Sequence, residues 1–535
     1  MIRKTTKSLA LPLLCGALMA CQDLEVINQN RPDSERALLE PGAVEQVIRS
    51  AFPIWWRIQT NNDIWPYYPV ISNEFSRTAL LRQFLPGAEP RVAFKNDPLA
   101  DEVWIPRAPW DAFNSGLANS VDGLHRIING NLVISTLDPG ATIVTDNTNR
   151  ARIFAKVMEG LNLGYVGLVM DQGPLYTHED VLPTGYDDLI AWERDNLRPY
   201  GELITGAVAV LDSAIADMDR SPDFTIPNTW INLQTLSKQQ LREFANSLIA
   251  RLLVYSARTP AERVAVNWQK VLAATGQGLT FDFGPTLASG VITNTHWARL
   301  QGNGSNDNIR PNYSLIGPAD TSGAYAIWAA APLANRERFN IATPDRRITG
   351  TTPTSPGAYF RHRADNTGFD ATRGLYQFSA YQWYRNNGSS NTGFSPVMTA
   401  DENRLLRAEA MLRTNNNAEA ANLINVSRTR TVRIGTAPFP GLPAVTAQGV
   451  PVSAGCVPKG LKTGVGCGTL LEALMYERGI ELAGTDPTRG WLDRRGFGQL
   501  VPGTILHMPI PARYLIALGL PLYSFGGIGG AGAAQ

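Results

Sequence analysis

The side chains best suited to holding a molecule in this sequence are aromatic, and they gather in stretches without helical spacing. Trp65, Tyr67 and Tyr68 follow a first apolar periodic segment, while Tyr381, Trp383 and Tyr384 stand beside Arg385 and Asn386. An aromatic face stacks on the C–H face of a sugar ring or on a planar part of a peptide, and neighbouring amides and guanidinium groups supply directional hydrogen bonds. We therefore expect a ligand-binding surface made from Trp65, Tyr67, Tyr68, Asn73, Tyr381, Trp383, Tyr384 and Arg385, carried on loops. Trp297, Tyr313, Tyr325, Trp328, Tyr359, Phe360 and Tyr376 stand in similar surroundings. For any of these rings the alternative is a small core beneath long loops.

Residues that would do covalent or metal chemistry are scattered. The histidines at 125, 178, 296, 362 and 507 form no HExxH or other paired ligand spacing, so no metal site is expected. No Gly-x-Ser-x-Gly elbow occurs. Gly527-Ile-Gly-Gly-Ala-Gly532 matches a dinucleotide fingerprint in letters only, because the sequence printed ends three residues later with no helix to receive a pyrophosphate. Carboxylates are plentiful, which leaves a spatially assembled acid pair of glycosidase type as an alternative. The leading expectation is binding without catalysis and without a cofactor.

Two cysteines bear on compartment and two on folding. Arg3, Lys4 and Lys7 precede an apolar run, Leu9 to Ala20, too short to span a bilayer and ending Leu18-Met-Ala-Cys21. This resembles a bacterial lipobox, so residues 1–20 are expected to leave as a signal peptide, Cys21 to carry lipid, and residues 21–40 to form a tether; the alternative is a plain cleaved signal with an incidental cysteine. At about 0.8 kcal/mol per buried CH₂, several acyl chains on Cys21 would anchor the protein stably. Cys15 would leave with the signal. Cys456 and Cys467 flank a Gly-rich stretch able to turn back on itself, which suggests a disulfide in an oxidising envelope. The alternative, a metal site, needs more ligands than the stretch offers.

With 48 Lys+Arg against 47 Asp+Glu the net charge is +1, which gives no footprint for nucleic acid. The 535 residues, 44% of them hydrophobic, can fill a large core.

The elements that must position any site are helical. From Ala108 to Gly130 the apolar residues Trp110, Phe113, Leu117, Val121, Leu124 and Ile128 recur at steps of three and four, which predicts one buried helix face. The stretch Thr148 to Met170 carries small Ala151, Ala155, Gly160 and Gly164 among bulky residues, as closely packed helices require, and stops at Asp171-Gln-Gly-Pro174. Further helices are predicted over Gly42–Gln59, Arg198–Met218, Lys238–Ala257, Glu262–Thr275, Thr399–Thr414, Asn417–Arg430 and Thr469–Ala483. Their pairing resembles tetratricopeptide-type hairpins, although no strict repeat period survives. One mature domain is expected over 41–535, with helical scaffold at 41–280 and 399–500. An aromatic insert of loops and short strands is expected at 281–398, and a C-terminal segment ending in a flexible Gly-rich tail at 501–535.

Several signatures, in order, resemble the SusD/RagB family of lipoproteins. They are the lipobox followed by Asp23-Leu-Glu-Val-Ile-Asn28, the helix from Trp110 to Asn119, the turn Asp171-Gln-Gly-Pro-Leu175, Thr343-Pro-Asp-Arg-Arg347, and a C-terminal block. That block runs from Glu402 to Ala410, through Asn425-Val-Ser-Arg-Thr-Arg430 and Glu477-Arg-Gly-Ile-Glu-Leu482, to Arg489-Gly-Trp-Leu-Asp-Arg-Arg495. The chain departs from the family pattern at Gly484 to Thr488, at the extra Gly490 before Trp491, and around Tyr514. The resemblance implies a mainly α SusD-like fold with long loops and few strands. It also implies a lipoprotein of the outer membrane facing the exterior, which captures an oligosaccharide or peptide and passes it to a SusC-like TonB-dependent β-barrel transporter. Alternatives are a lipid-anchored helical-repeat adaptor on the periplasmic side, or a secreted glycosidase. The charged residues of the C-terminal block, Glu402, Glu409, Glu477, Arg478, Glu481, Asp493 and Arg494, read most simply as ion pairs fixing helix register.

Overall fold

A computed structural model of the chain describes residues 40–60, 67–77, 87–99, 104–138, 140–183, 185–288, 309–362, 378–381 and 393–535. Helices dominate, and each long helix packs against the next in sequence. We label ten of them: α1 Pro41–Thr60, α2 Trp104–Ile128, α3 Thr148–Val169, α4 Tyr200–Arg220, α5 Lys238–Tyr255, α6 Trp268–Gly276, α7 Ala400–Arg413, α8 Asn417–Arg428, α9 Leu470–Glu481 and α10 Arg489–Gly496. Successive pairs from α1 to α8 are in contact, and α9 lies against both α7 and α8, which gives the helical-hairpin scaffold expected.

The predicted apolar stripe of α2 is buried from Trp110 to Leu124, but Ile128, its last residue, is exposed where the helix runs out of neighbours. Helix α3 sits at the centre, with nearly every side chain buried. Its small residues permit this. A Cβ on Gly164 would come within 2.6 Å of Leu252 on α5, so only glycine lets the two helices approach this closely. The single helix expected over 262–275 is broken. It becomes Pro260–Val264 followed by α6, because the Asn267 side chain accepts from the backbone N–H of Lys270 and starts a new helix. Capping boxes at Ser237 with Gln240 and at Thr469 with Glu472 define the starts of α5 and α9.

Strands are short and pair antiparallel in twos. Phe75–Arg77 pairs with Ile309–Pro311, Thr286–Leu287 with Gly393–Phe394, and Phe360–His362 with Phe378–Tyr381. Between them lie short helices at Tyr313–Ile316 and Ala324–Ala330. The described aromatics of this insert form a second core rather than a surface array: Tyr313, Tyr325, Trp328, Tyr359 and Phe360 are all buried and share one cluster with Tyr476 and Ile480 of α9.

The Gly-rich end also differs from expectation. It does not trail as a flexible tail but folds back: Ala93 bridges Gly526, Ile505 bridges Ala533, and the Gly503 and Leu506 N–H groups donate to the carbonyls of Ala534 and Gly532. Glycines with positive φ at 526, 527, 529 and 532 allow the tight turns this requires. No helix among the described residues is long and apolar enough to cross a membrane.

Candidate functional site

Helices α9 and α10, the insert and the segment after α10 together line a cleft of about 370 Å³. Helix α9 contributes Met475, Tyr476 and Gly479, and α10 contributes Arg489, Asp493 and Arg494. The two short helices of the insert supply Ser314, Leu315, Tyr325, Trp328 and Ala329, and the segment after α10 supplies Phe497, Gln499, Leu500, Val501 and Pro502. Leu461 and Lys462 form a further wall. They lie in the loop closed by the Cys456–Cys467 disulfide, whose sulfurs are 1.98 Å apart, as the sequence led us to expect. The Tyr325 hydroxyl donates to the Leu461 carbonyl at 2.8 Å and ties this loop to the insert.

Buried ion pairs hold α10 in place. Arg263 donates two hydrogen bonds to Glu409 at 2.9 and 2.7 Å and a third to Asp493 at 2.9 Å; Arg478 pairs with the same two acids. Burial alone would raise the Glu409 pKa, but Arg263 and Arg478 overcome it and hold the carboxyl at about 2. Arg347 gathers Asp345 at 2.7 Å, Glu477 at 2.7 Å and Glu481 at 2.8 Å, and the Tyr476 hydroxyl donates to Asp345 at 2.6 Å. These contacts account for most of the charged residues in the C-terminal block as register-fixing pairs. Arg494 is the exception.

Glu74 and Asn73 close the far end of the cleft. Arg489 donates to Glu74 at 2.6 Å; burial opposes the charge on Arg489, but Glu74 holds its pKa above the ordinary value. Gly490, the insertion that departs from the family pattern, has a physical reason here: a Cβ would lie 2.2 Å from the Glu74 carboxylate. Asn73 adopts a left-handed φ of 56°, its amide donates to Glu89 at 2.9 Å, and its oxygen accepts from Arg91. Glu89 in turn pairs with Arg336 at 3.3 Å.

The floor is aromatic but covered. Tyr325 and Trp328 are only 2% and 5% exposed and stack with centroids 5.9 Å apart, and the Arg336 guanidinium lies over the indole at 4.3 Å. Burial pushes the Tyr325 hydroxyl up to about 12. What the cleft offers a ligand is a wall of Leu461, Met475, Phe497, Val501 and Pro502 with Arg336, Lys462, Arg494, Ser314 and Gln499 as polar groups.

These positions correct two of the eight residues expected from sequence, Tyr67 and Tyr68. Tyr67 and Tyr68 are both 0% exposed. They lie in the short helix Tyr67–Ile71 rather than on a loop, and Tyr68 packs against Trp491 with ring centroids 5.4 Å apart, so both are core. Asn73 does line the cleft, but its amide is committed to Glu89 and Arg91 and serves as a positioning group. Tyr381 ends the strand paired with Phe360, and its side chain lies outside the described residues, as do Trp65, Trp383, Tyr384, Arg385, Asn386 and Cys21. Sequence reasoning missed Ser314, Arg336, Lys462, Phe497 and Gln499, and gave Arg494 an ion pair that it does not make among the described residues. One signal was present: α10 carries Arg489, Arg494 and Arg495 for the single acid Asp493, so its arginines outnumber the partners on their own helix.

Among the described residues no group of three or more histidine, cysteine or acidic side chains is placed to hold a metal.

No family model and no curated protein matches the chain at the level of sequence. Solved structures do. A SusD superfamily protein from Parabacteroides distasonis superposes with a TM-score of 0.54 at 12% identity, covering 91% of this chain and 98% of its own. One from Bacteroides vulgatus gives 0.53 at 11% identity over 89% and 97%, and a SusD-like carbohydrate-binding protein from Bacteroides fragilis gives 0.51 at 12% over 86% and 87%. The match covers most of both chains in each case, so the chain has a SusD-like fold.

Proposed function

We propose that this protein is a surface-exposed lipoprotein which captures an oligosaccharide or peptide nutrient in the cleft between α9, α10 and the insert. It then delivers that nutrient to a TonB-dependent β-barrel partner in the outer membrane. The single observation that carries the reading is the cleft itself, a concave site with an apolar wall and a few convergent polar groups, mounted on a rigid scaffold. The fold shared with a carbohydrate-binding protein of Bacteroides fragilis supports a nutrient-binding role. Capture needs no turnover. Each carboxylate lining the cleft is engaged by an arginine: Glu74 by Arg489 at 2.6 Å, Glu89 by Arg336 at 3.3 Å and Asp493 by Arg263 at 2.9 Å. Such groups are poorly placed to exchange protons with a glycosidic oxygen, which favours binding over hydrolysis.

The lipobox supports anchoring through Cys21 and the absence of an apolar spanning helix among the described residues is compatible with it. The test is direct. Glycan and peptide arrays probed with the full chain should give saturable binding, and the same chain should co-purify with a β-barrel protein from the outer membrane. Cys21→Ala should shift it to the soluble fraction, unless the barrel complex itself retains it. Turnover of bound glycans, abolished by one carboxylate substitution, would overturn the capture reading in favour of a glycosidase.

A further inference from the structure

Arg494 stands apart from the other arginines of α10. Arg489 has Glu74 at 2.6 Å, and Arg495 donates to the carbonyls of Leu506, Leu168 and Tyr255 at 2.6, 2.7 and 2.9 Å. Arg494 meets no carboxylate among the described residues. Its only contacts there are long ones to Ser314, at 3.4 Å to the hydroxyl and 3.2 Å to the carbonyl. A guanidinium has five N–H donors, so most of its capacity is unused. The acids nearest in charge effect, Glu74 and Asp493, are already taken by Arg489, Arg263 and Arg478. Burial lowers the Arg494 pKa, with Glu74, Tyr325 and Asp493 acting against it and Arg489 adding to it. A guanidinium nonetheless stays charged at neutral pH.

The charge balance of the cleft points the same way. Four cations line it, Arg336, Lys462, Arg489 and Arg494, against three acids, Glu74, Glu89 and Asp493. Asp493 is further shared with buried Arg263 and Arg478, so the cleft is more positive than that count. Lys462, on the disulfide loop, is exposed and among the described residues donates only to the Gly498 carbonyl, at 2.6 Å. Two cations therefore face the cleft without a carboxylate of their own.

Resting on the capture reading, we infer that the cleft selects ligands bearing a carboxylate, held by Arg494 with Lys462 nearby, while the body of the ligand lies on the Leu461, Met475, Phe497 and Val501 wall. Guanidinium–carboxylate pairing is directional and bidentate, which makes it a selective contact as well as a strong one. The carboxylate is the shared chemistry of two sources, a uronic acid in an oligosaccharide and the C-terminus of a peptide.

The test uses calorimetric titration of the full chain, in detergent, with four probe sets. These are pectin- and alginate-derived oligouronates, their methyl esters, tetrapeptides with free C termini, and the same tetrapeptides amidated. We expect the free-acid form of one source to bind at least tenfold more tightly than its capped form. Whichever source shows the difference is the ligand class. Arg494→Gln should abolish that preference by weakening the free-acid form far more than the capped form, and Arg494→Lys should restore part of it. Lys462→Gln, on an exposed side chain, should reduce the preference and covers the case in which Arg494→Gln does not fold. Equal binding of free and capped probes, or a preference that survives Arg494→Gln, would overturn the carboxylate inference and leave capture standing. No binding of any probe would overturn both.

Discussion

Arg489 and Glu74 meet at 2.6 Å across 415 residues of chain, so the start of the described fold and its C-terminal block are tied together at the far wall of the cleft. Both side chains are buried. Removing the acid would leave the buried guanidinium with only its long contact to Asp493 at 3.9 Å, and we expect Glu74→Gln to cost about 3 kcal/mol of stability, read as a lower denaturation midpoint. Gly490→Ala should act through the same contact. Its new methyl would displace the Glu74 carboxylate, and the two variants combined should lose less than the sum of their separate effects.

Tyr68 illustrates the difference between a core ring and a binding ring. It is fully buried against Trp491. Tyr68→Ala should cost about 3 to 5 kcal/mol of stability while leaving affinity per folded molecule unchanged. Thermal melts run beside titrations distinguish this outcome from a specific loss of ligand binding, which would return Tyr68 to the site.

Glu409 makes stability depend on acid. Its folded pKa is about 2 against 4.5 for an unperturbed glutamate, so the unfolded chain takes up the proton first as pH falls. The contribution of this group is present above pH 4.5 and is lost as pH falls toward 2. The shift corresponds to on the order of 3 kcal/mol. Urea denaturation from pH 6 down to pH 2 should show this slope, and Glu409→Gln should flatten it while lowering stability at pH 6.

The Cys456–Cys467 loop joins folding to the cleft, because it carries Leu461 and Lys462. Replacing both cysteines by serine should cost up to about 3 kcal/mol by the loop-entropy argument. It should also weaken ligand binding severalfold, since the wall is then held by hydrogen bonds alone, among them Tyr325 to Leu461 and Lys462 to Gly498. Unchanged affinity in the serine variant would show that the loop contributes stability alone.

The helices were legible because periodicity reports burial directly: the Trp110 to Leu124 stripe and the small residues of α3 mark the faces that pack. The disulfide was legible because only two cysteines remain after the lipobox. The cleft was not, because its members come from five separate stretches of sequence and meet through long-range contacts such as Arg489–Glu74 and Tyr325–Leu461. Aromatic content misled for a related reason. Tyr67, Tyr68, Tyr325 and Trp328 look exposed when loops are read from composition, but segments too short to show a period can still form helices that bury them. Arg494 was hidden by its neighbours, since a basic residue beside an aspartate reads as paired until the aspartate is seen to serve Arg263 and Arg478.

The central claim is that the α9–α10 cleft captures a soluble nutrient without transforming it. Ala329 lines the cleft on a short helix and is partly exposed, so Ala329→Trp should fill the space without disturbing the scaffold. The decisive measurement is a titration of an array-positive oligosaccharide or peptide into the wild-type chain and into Ala329→Trp, with mass spectrometry of the recovered ligand. The account predicts saturable binding to the wild type, at least tenfold weaker binding to Ala329→Trp at an unchanged melting temperature, and a ligand recovered intact. Equal affinity for the two proteins would contradict it, and so would a cleaved ligand.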